Sequence, residues 1–403
     1  MTDSAFVVKR ILSPAPPRPG GKPRLGRLDL ELTERCNNDC LHCCINLPAD
    51  DARARARELT TAQVKDILQQ AAALGCLEVR FTGGEPLLRP DWQDLYLAAR
   101  RLGLKVLLFT NARLITAQVA DLLARIPPRA PIEITVYGLH RDSYEAVTRA
   151  PGSFAQFWRG VKRLRERHVP FIVKAVVLPP NRHELDELEA WARDIPWMTG
   201  APVYVLSLDL RNRRDDPRKN ALIASLRLSP QNRLALLRRE GVKYRRGLAE
   251  FAGKFMGPPG DVLFPCGAGH GVCIDAYGRA QPCMGLRAPE LTVNLIPGAA
   301  AGRDGAEAAT GTGRLADALV RFRQFRELRA TNPEYLERCA RCFLKGLCEQ
   351  CPAKSWAEYG TLDTPVPYQC EAAHAQARDL GWLAAHEHGW EVRAWRERVR
   401  VKS

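Results

Sequence analysis

The sequence has no apolar run approaching the length of a membrane span, and its N-terminus has no signal-peptide core. A membrane role is therefore not expected, and the chain reads as cytoplasmic. No internal repeat is visible. No appended RNA-binding module is apparent and the basic residues are spread out, so nucleic acid is not an expected partner. Residues 1–27 are rich in Pro, Arg and Gly and read as a flexible lead-in.

What is present bounds the answer further. The 403 residues suffice for two domains, and 46% are hydrophobic, a globular value. Lys and Arg number 60 against 45 Asp and Glu, a formal charge of +15. That charge fits an acidic peptide or a carboxylated small molecule, and equally a generally basic composition. Thirteen cysteines in a reducing compartment point to metal or redox chemistry rather than disulfides.

From Leu28 to about Leu210, short apolar strands alternate with amphipathic helices. The expected strands are Leu28–Thr33, Leu77–Thr82, Leu104–Thr110, Ile132–Tyr137, Phe171–Val177 and Val203–Leu208. The expected helices are Thr61–Leu74, Trp92–Leu102, Ala117–Ala124, Phe154–Arg167 and Glu184–Ala192. This α/β pattern predicts a parallel sheet closed into a partial (β/α)6 TIM-like barrel, with its site at the C-terminal strand ends. Residues 211–260 read as a helical bridge and 261–372 as a loop-rich, cysteine-dense domain. Within the latter, 298–313 read as a mobile loop. Residues 373–403 read as a C-terminal helix with a basic tail.

The strongest motif is Cys36-Asn-Asn-Asp-Cys40-Leu-His-Cys43, directly after the first strand. Three thiolates are one short of the usual set for an iron–sulfur cluster, leaving one iron open to a small molecule. A zinc site, with His42 as a fourth ligand, is the alternative reading of this stretch alone. Phe81-Thr-Gly-Gly-Glu-Pro86 follows the second strand. Its glycines permit close backbone approach to a ligand, and Glu85 can accept from an ammonium.

These two motifs in this order resemble radical SAM enzymes. The resemblance implies a [4Fe–4S] cluster on Cys36, Cys40 and Cys43, binding S-adenosylmethionine and yielding a 5′-deoxyadenosyl radical. It implies cofactor contacts from Gly83, Gly84, Glu85, Asn111 and Thr135. Tyr137 stands where peptide-modifying members often carry Asp. Thr148-Arg-Ala-Pro-Gly-Ser-Phe154 resembles a following family stretch, with Gly152 as a turn and Ser153 as an N-cap.

The later cysteines resemble a SPASM domain, which usually holds two auxiliary [4Fe–4S] clusters. Carried over, Cys266, Cys273, Cys283 and Cys351 would hold the first, and Cys339, Cys342, Cys348 and Cys370 the second. Cys273 is the least constrained of these. A zinc ribbon at Cys339–Cys351 is the alternative. Cys44 is expected to pack inside the barrel, and Cys76 to act as a small hydrophobe.

The pattern looks most like maturases of ribosomally made peptides. It implies a precursor peptide substrate, a separate PqqD-like leader-binding protein and an electron donor. The expected chemistry is hydrogen abstraction, then a C–C or thioether crosslink, or epimerisation. Met284 after Cys283 cannot serve as a base, which argues against formylglycine formation. Asp209, Asp275 and Tyr137 are the catalytic candidates by position. The rival reading is oxidative decarboxylation of a carboxylated small molecule such as a tetrapyrrole.

The three-plus-eight ligand set predicts that anaerobically reconstituted protein binds about twelve irons, as three [4Fe–4S] clusters. Iron and zinc analysis checks this; stoichiometric zinc or about four irons opposes it.

Overall fold

Alternation along the first strand sets the plan of the barrel. On β1 (Arg27–Thr33), Leu28, Leu30 and Leu32 point one way and Asp29, Glu31 and Thr33 the other. All six are buried, so both faces of the strand are covered. The computed structural model describes residues 23–198, 202–205, 208–211, 216–239, 241–255, 260–266, 269–296, 314–348 and 351–399. The first 22 residues of the expected lead-in, the expected loop at 298–313 and the last four residues of the expected tail lie outside the described residues.

Two short strands, β2 (Arg35–Cys36) and β3 (Leu47–Pro48), bracket the first cysteine motif and pair in parallel. The barrel continues with β4 (Glu78–Gly83), β5 (Lys105–Thr110), β6 (Ile132–Val136), β7 (Phe171–Val176) and β8 (Val203–Val205). β1, β4, β5, β6, β7 and β8 pair in parallel in that order. The helices between them span Thr61–Ala73, Trp92–Arg101, Ala117–Arg125, Ser153–Glu166 and Leu185–Arg193. The first begins in a capping box, Thr60 with Gln63.

These bounds lie within a residue of the sequence expectation except at β8, whose expected end includes residues 206 and 207, outside the description. A further helix, Arg141–Thr148, was not anticipated. Among the described residues of 211–260, helices span Pro217–Ser225, Pro230–Arg238 and Val242–Phe255.

Two corrections concern the C-terminal half. Its first hairpin, β9 (Gly271–Ile274) and β10 (Arg279–Gln281), falls in the segment expected to be a loop-rich domain of its own, yet it joins the barrel sheet. β9 pairs in parallel with β1, and with β11 (Val293–Asn294) the sheet reaches nine strands in the order β11-β10-β9-β1-β4-β5-β6-β7-β8. Nor is the C-terminus a plain helix with a tail. Helix Pro367–Asp379 is followed by a segment that folds back on the cysteine domain, where Phe343 N donates to Gly389 O at 3.3 Å.

The inner face of the barrel is polar. Asp29 pairs with Arg80 at 3.1 Å. Arg80 and Lys174 both lie over the Phe109 ring, 4.8 and 4.5 Å from its centroid. Lys174 pairs with Glu133, and Glu31 with Arg287 from the segment after β10. Apolar residues such as Val79, Phe81, Ile132 and Ile134 occupy the outer face and form the core with the helices.

Candidate functional site

The cysteine loop leaves β2 at the C-terminal end of β1. Its backbone is tied to the unanticipated helix: Asp39 N donates to Thr148 O at 2.9 Å, and Leu41 N to Val147 O at 3.0 Å. The loop thereby takes up the free carbonyls of a helix end. Gly152 makes the next turn, with φ +77°. Ser153 does not cap; its hydroxyl meets Thr148 Oγ1 at 2.8 Å.

The thiols sit in a ring of donors and cations. Asn38 N donates to Cys36 Sγ at 3.4 Å. Burial pushes the Cys40 thiol up to about 12, and a hydrogen bond from Tyr137 opposes the shift. Arg113 reaches Asn37 O and Asn38 Oδ1. Lys219, from the bridge, donates to Cys40 O at 2.9 Å and lies close enough to feel the Cys43 and Cys40 thiolates. Among the described residues, no three His, Cys, Asp or Glu side chains converge on a point suited to one ion. His42 is held near neutral imidazole, its pKa lowered by burial to about 4.

Gly83 and Gly84 work differently from the expectation. What they approach is the chain itself. A Cβ on Gly84 would collide with Arg35 O, and one on Gly83, at φ +119°, with Thr33 O. Gly84 N and Glu85 N donate to Thr33 O and Arg35 O at 2.7 and 2.9 Å. The glycines therefore staple the end of β4 to the segment that launches Cys36.

Glu85 is fully buried. Its carboxylate accepts from Thr110 Oγ1 at 2.9 Å, Asn111 N at 2.8 Å and Leu87 N at 3.1 Å. Burial still raises its pKa to about 7, because three donors do not replace a cation. Asn111 links this carboxylate to the loop: its Nδ2 donates to Asn37 Oδ1 at 2.8 Å and stands 3.7 Å from Cys36 Sγ. Thr135 lies on β6, paired in register with Lys174.

The catalytic candidates separate. Tyr137 is buried between His42 and Tyr144, with ring centroids 5.6 Å away in each case, and its hydroxyl serves Cys40. Asp275 has 0% exposure and is engaged within its own turn, by Tyr277 N, Arg279 N and Arg279 Nε at 3.0, 2.9 and 2.7 Å. Asp209 follows β8, is exposed, and lies close enough to act on Cys44. Cys44 is itself half-buried near Glu31 and Arg287, and desolvation pushes its thiol far up. Cys76 is buried, with its thiol on Glu78 O at 3.0 Å.

In the second field, Cys339, Cys342, Cys348 and Cys370 line one pocket with Arg338, Lys345 and Trp390. Cys266, Cys283 and Cys351 act on one another, while Cys273 faces Glu31 and Arg287. Lys219, Arg113, Trp390 and the Glu31–Arg287 pair escaped the sequence reading. Arg113, two residues beyond Asn111, was the only one of these placed beside a motif.

Residues 30–192 match the family model of the Radical SAM superfamily. This segment is a radical SAM domain. Such a domain works with a [4Fe–4S] cluster and S-adenosylmethionine, and the three-cysteine loop beside a buried carboxylate without a cation fits both. The chain is 29% identical to an AdoMet-dependent heme synthase of Methanosarcina barkeri, over 43% of this chain and 48% of that one. It is 32% identical to a PqqA peptide cyclase of Gluconobacter oxydans, over 41% and 45%. The chain spans about half the length of these curated relatives. Similarity to mycofactocin maturase MftC of Mycolicibacterium smegmatis runs further, at 28% identity over 87% of this chain and 84% of that one. The fold matches the solved structure of native anSMEcpe with bound AdoMet, at a TM-score of 0.60 and 14% identity, covering 87% and 96% of the two chains.

The staple predicts that Gly84→Ala lowers stability by about 1–3 kcal/mol, as overpacking does. Gly247→Ala, where an added Cβ meets nothing within 4 Å, should be neutral or stabilising. Urea denaturation of both variants checks the pair; equal effects would remove the staple.

Proposed function

We propose that the protein is a cytoplasmic radical SAM maturase that oxidatively modifies a ribosomally made precursor peptide. The observation that carries this reading is the coexistence in one chain of a three-thiol loop at the end of β1 and a set of eight later cysteines, the first of which enter the same sheet through β9. The relative named a maturase aligns over 87% of this chain, which supports the reading. The heme synthase aligns over under half of this chain, which leaves the tetrapyrrole reading second.

Cys36, Cys40 and Cys43 would hold the first cluster. When bound, that cluster and S-adenosylmethionine supply a 5′-deoxyadenosyl radical that takes hydrogen from a substrate carbon. Glu85 would accept the methionine ammonium, and Gly83 and Gly84 fix its place. Arg113 and Lys219 offset the thiolate charge. Asn111 and Thr135 would meet the nucleoside. The polar inner face, with Arg80 and Lys174 around Phe109, would receive the peptide segment and keep water out. Asp209, after the sixth barrel strand, would serve as the base; Tyr137 acts through Cys40 as a positioning residue. Cys339, Cys342, Cys348 and Cys370 would hold one auxiliary cluster, and Cys266, Cys283 and Cys351 belong to another. The product is a C–C or thioether crosslink, or an epimer. A PqqD-like leader-binding protein and an external electron donor complete the system.

The Glu85 assignment is testable by affinity and pH. Glu85→Ala should keep the iron and weaken S-adenosylmethionine binding by about 1.5–3 kcal/mol, a charge-assisted hydrogen bond. With burial holding the free carboxyl near 7, binding of an ammonium should weaken as pH falls below that value, where the group is protonated. Titration calorimetry between pH 6 and 8 checks the sign; flat affinity would make Glu85 a turn residue.

The two fields should also separate by function. Replacing Cys36, Cys40 and Cys43 with Ala should abolish 5′-deoxyadenosine formation. A folded Cys339→Ala/Cys342→Ala variant should keep at least part of that cleavage and lose the peptide product. Circular dichroism comes first, because a cluster can hold a loop-rich domain together. Full product from the folded double variant would overturn the oxidative role of the second field.

A further inference from the structure

We propose that Cys273 is not a ligand of the first auxiliary cluster, and that Cys266, Cys283 and Cys351 hold this cluster alone, leaving one iron without a protein ligand. The inference rests on the reading above that an auxiliary cluster occupies this site.

Sheet register gives the direction of the Cys273 side chain. Cys273 pairs with Asp29 of β1 on one side and Gln281 of β10 on the other. Directly paired residues on neighbouring strands share a face. Asp29 faces the lumen, where it meets Arg80. Cys273 therefore faces the lumen too, with Val272 and Ile274 turned to the apolar side, in the core.

The contacts agree. Cys273 has 0% exposure. Its Sγ lies 3.8 Å from Glu31 Oε1, as a thiol donating to a carboxylate, and 4.0 Å from an Arg287 nitrogen. The same guanidinium donates to Gln281 Oε1 at 2.8 Å and pairs with Glu31. One cation therefore already serves one buried carboxylate. The Cys273 sulfur is thus engaged within the lumen wall, by Glu31 of β1 and Arg287 of the segment after β10.

Three of the cysteines proposed above to hold iron have different surroundings. Backbone N–H groups of Gly285 and Leu286 serve Cys283, those of Ala353 and Lys354 serve Cys351, and that of Leu344 serves Cys342. Such converging amides form an anion-binding nest. Cys273 sits in a strand whose amides run the ladder between β1 and β10. The charges that act most on Cys273 are Glu31, Arg287, Asp29 and Asp275, whereas Cys266 acts on both Cys283 and Cys351.

Anaerobic reconstitution tests this with iron analysis and EPR of the reduced protein. Wild type should bind about twelve irons and Cys283→Ala about eight. Cys273→Ala should keep about twelve, with an unchanged auxiliary signal. Cys273→Val, which suits a buried strand, guards against a folding defect in the Ala variant. Loss of about four irons from either folded Cys273 variant overturns the proposal. A wild-type value near four irons overturns the auxiliary reading itself and the proposal with it, so the two failures are distinguishable. The open iron has its own readout. In a Cys36→Ala/Cys40→Ala/Cys43→Ala background, imidazole should shift the signal of one remaining cluster. No shift on saturation with imidazole would mean that every auxiliary iron has a protein ligand.

Discussion

Three thiolates cannot be gathered beside a buried carboxylate unless donors and cations are brought to the same place. That requirement organises the structure. The loop from Cys36 to Cys43 makes few hydrogen bonds to itself. Its partners come from three other parts of the chain: the β5 end through Asn111 and Arg113, the Arg141–Thr148 helix end, and Lys219 in the bridge, while Gly84 and Glu85 of the β4 end bond Thr33 and Arg35 just before it. Parallel strand order makes this possible, because every C-terminal strand end arrives at one rim. Removing one partner from such a network exposes the rest to uncompensated charge.

The polar lumen follows the same logic at larger scale. A sheet buried on both faces is ordinarily apolar on both. Here the inner face carries Asp29, Glu31, Arg80, Glu133 and Lys174, and the charges come in pairs: Asp29 with Arg80, Glu133 with Lys174, Glu31 with Arg287. Buried pairs contribute little net stability against apolar replacements. Their presence is better explained by a cavity that has to orient a polar substrate than by packing. Phe109, between two cations, fixes where those cations stand.

Much of the barrel was legible because period-two alternation and motif order are local signals. The six strand positions and five flanking helices follow from apolar patterning alone, and CxxxCxxC and GGEP lie at the predicted strand ends. Helix Arg141–Thr148 was missed because it is short and polar, with its buried Tyr144 and Val147 too few to set a period. Lys219 carries no local mark; its meaning comes from a contact with a residue 179 positions earlier. The pairing of β9 with β1 is likewise non-local, so the cysteine-dense half read as a separate unit. Asp275 read as a candidate base because a turn carboxylate and a catalytic one look alike in sequence. The turn decides between them, since Arg279 and two backbone amides already occupy both oxygens. The glycines were read correctly as close-approach residues, but the surface approached is the chain's own.

That non-local pairing joins the two cysteine fields. β1 leads directly to Cys36 and carries Glu31; β9 and the segment after β10 carry Cys273, Cys283 and Arg287. Met284, next to Cys283, touches Arg80 at 3.1 Å, and Arg80 pairs with Asp29 of the same β1. Cys44, next to Cys43, lies near Glu31 and Arg287 from the other side. The lumen wall is thus a single layer of side chains with the three-thiol loop at one margin and the first later cysteines at the other. The Glu31–Arg287 pair closes that layer where the added hairpin meets the barrel. The hairpin is therefore part of the lumen wall, and not an appendage to a finished barrel.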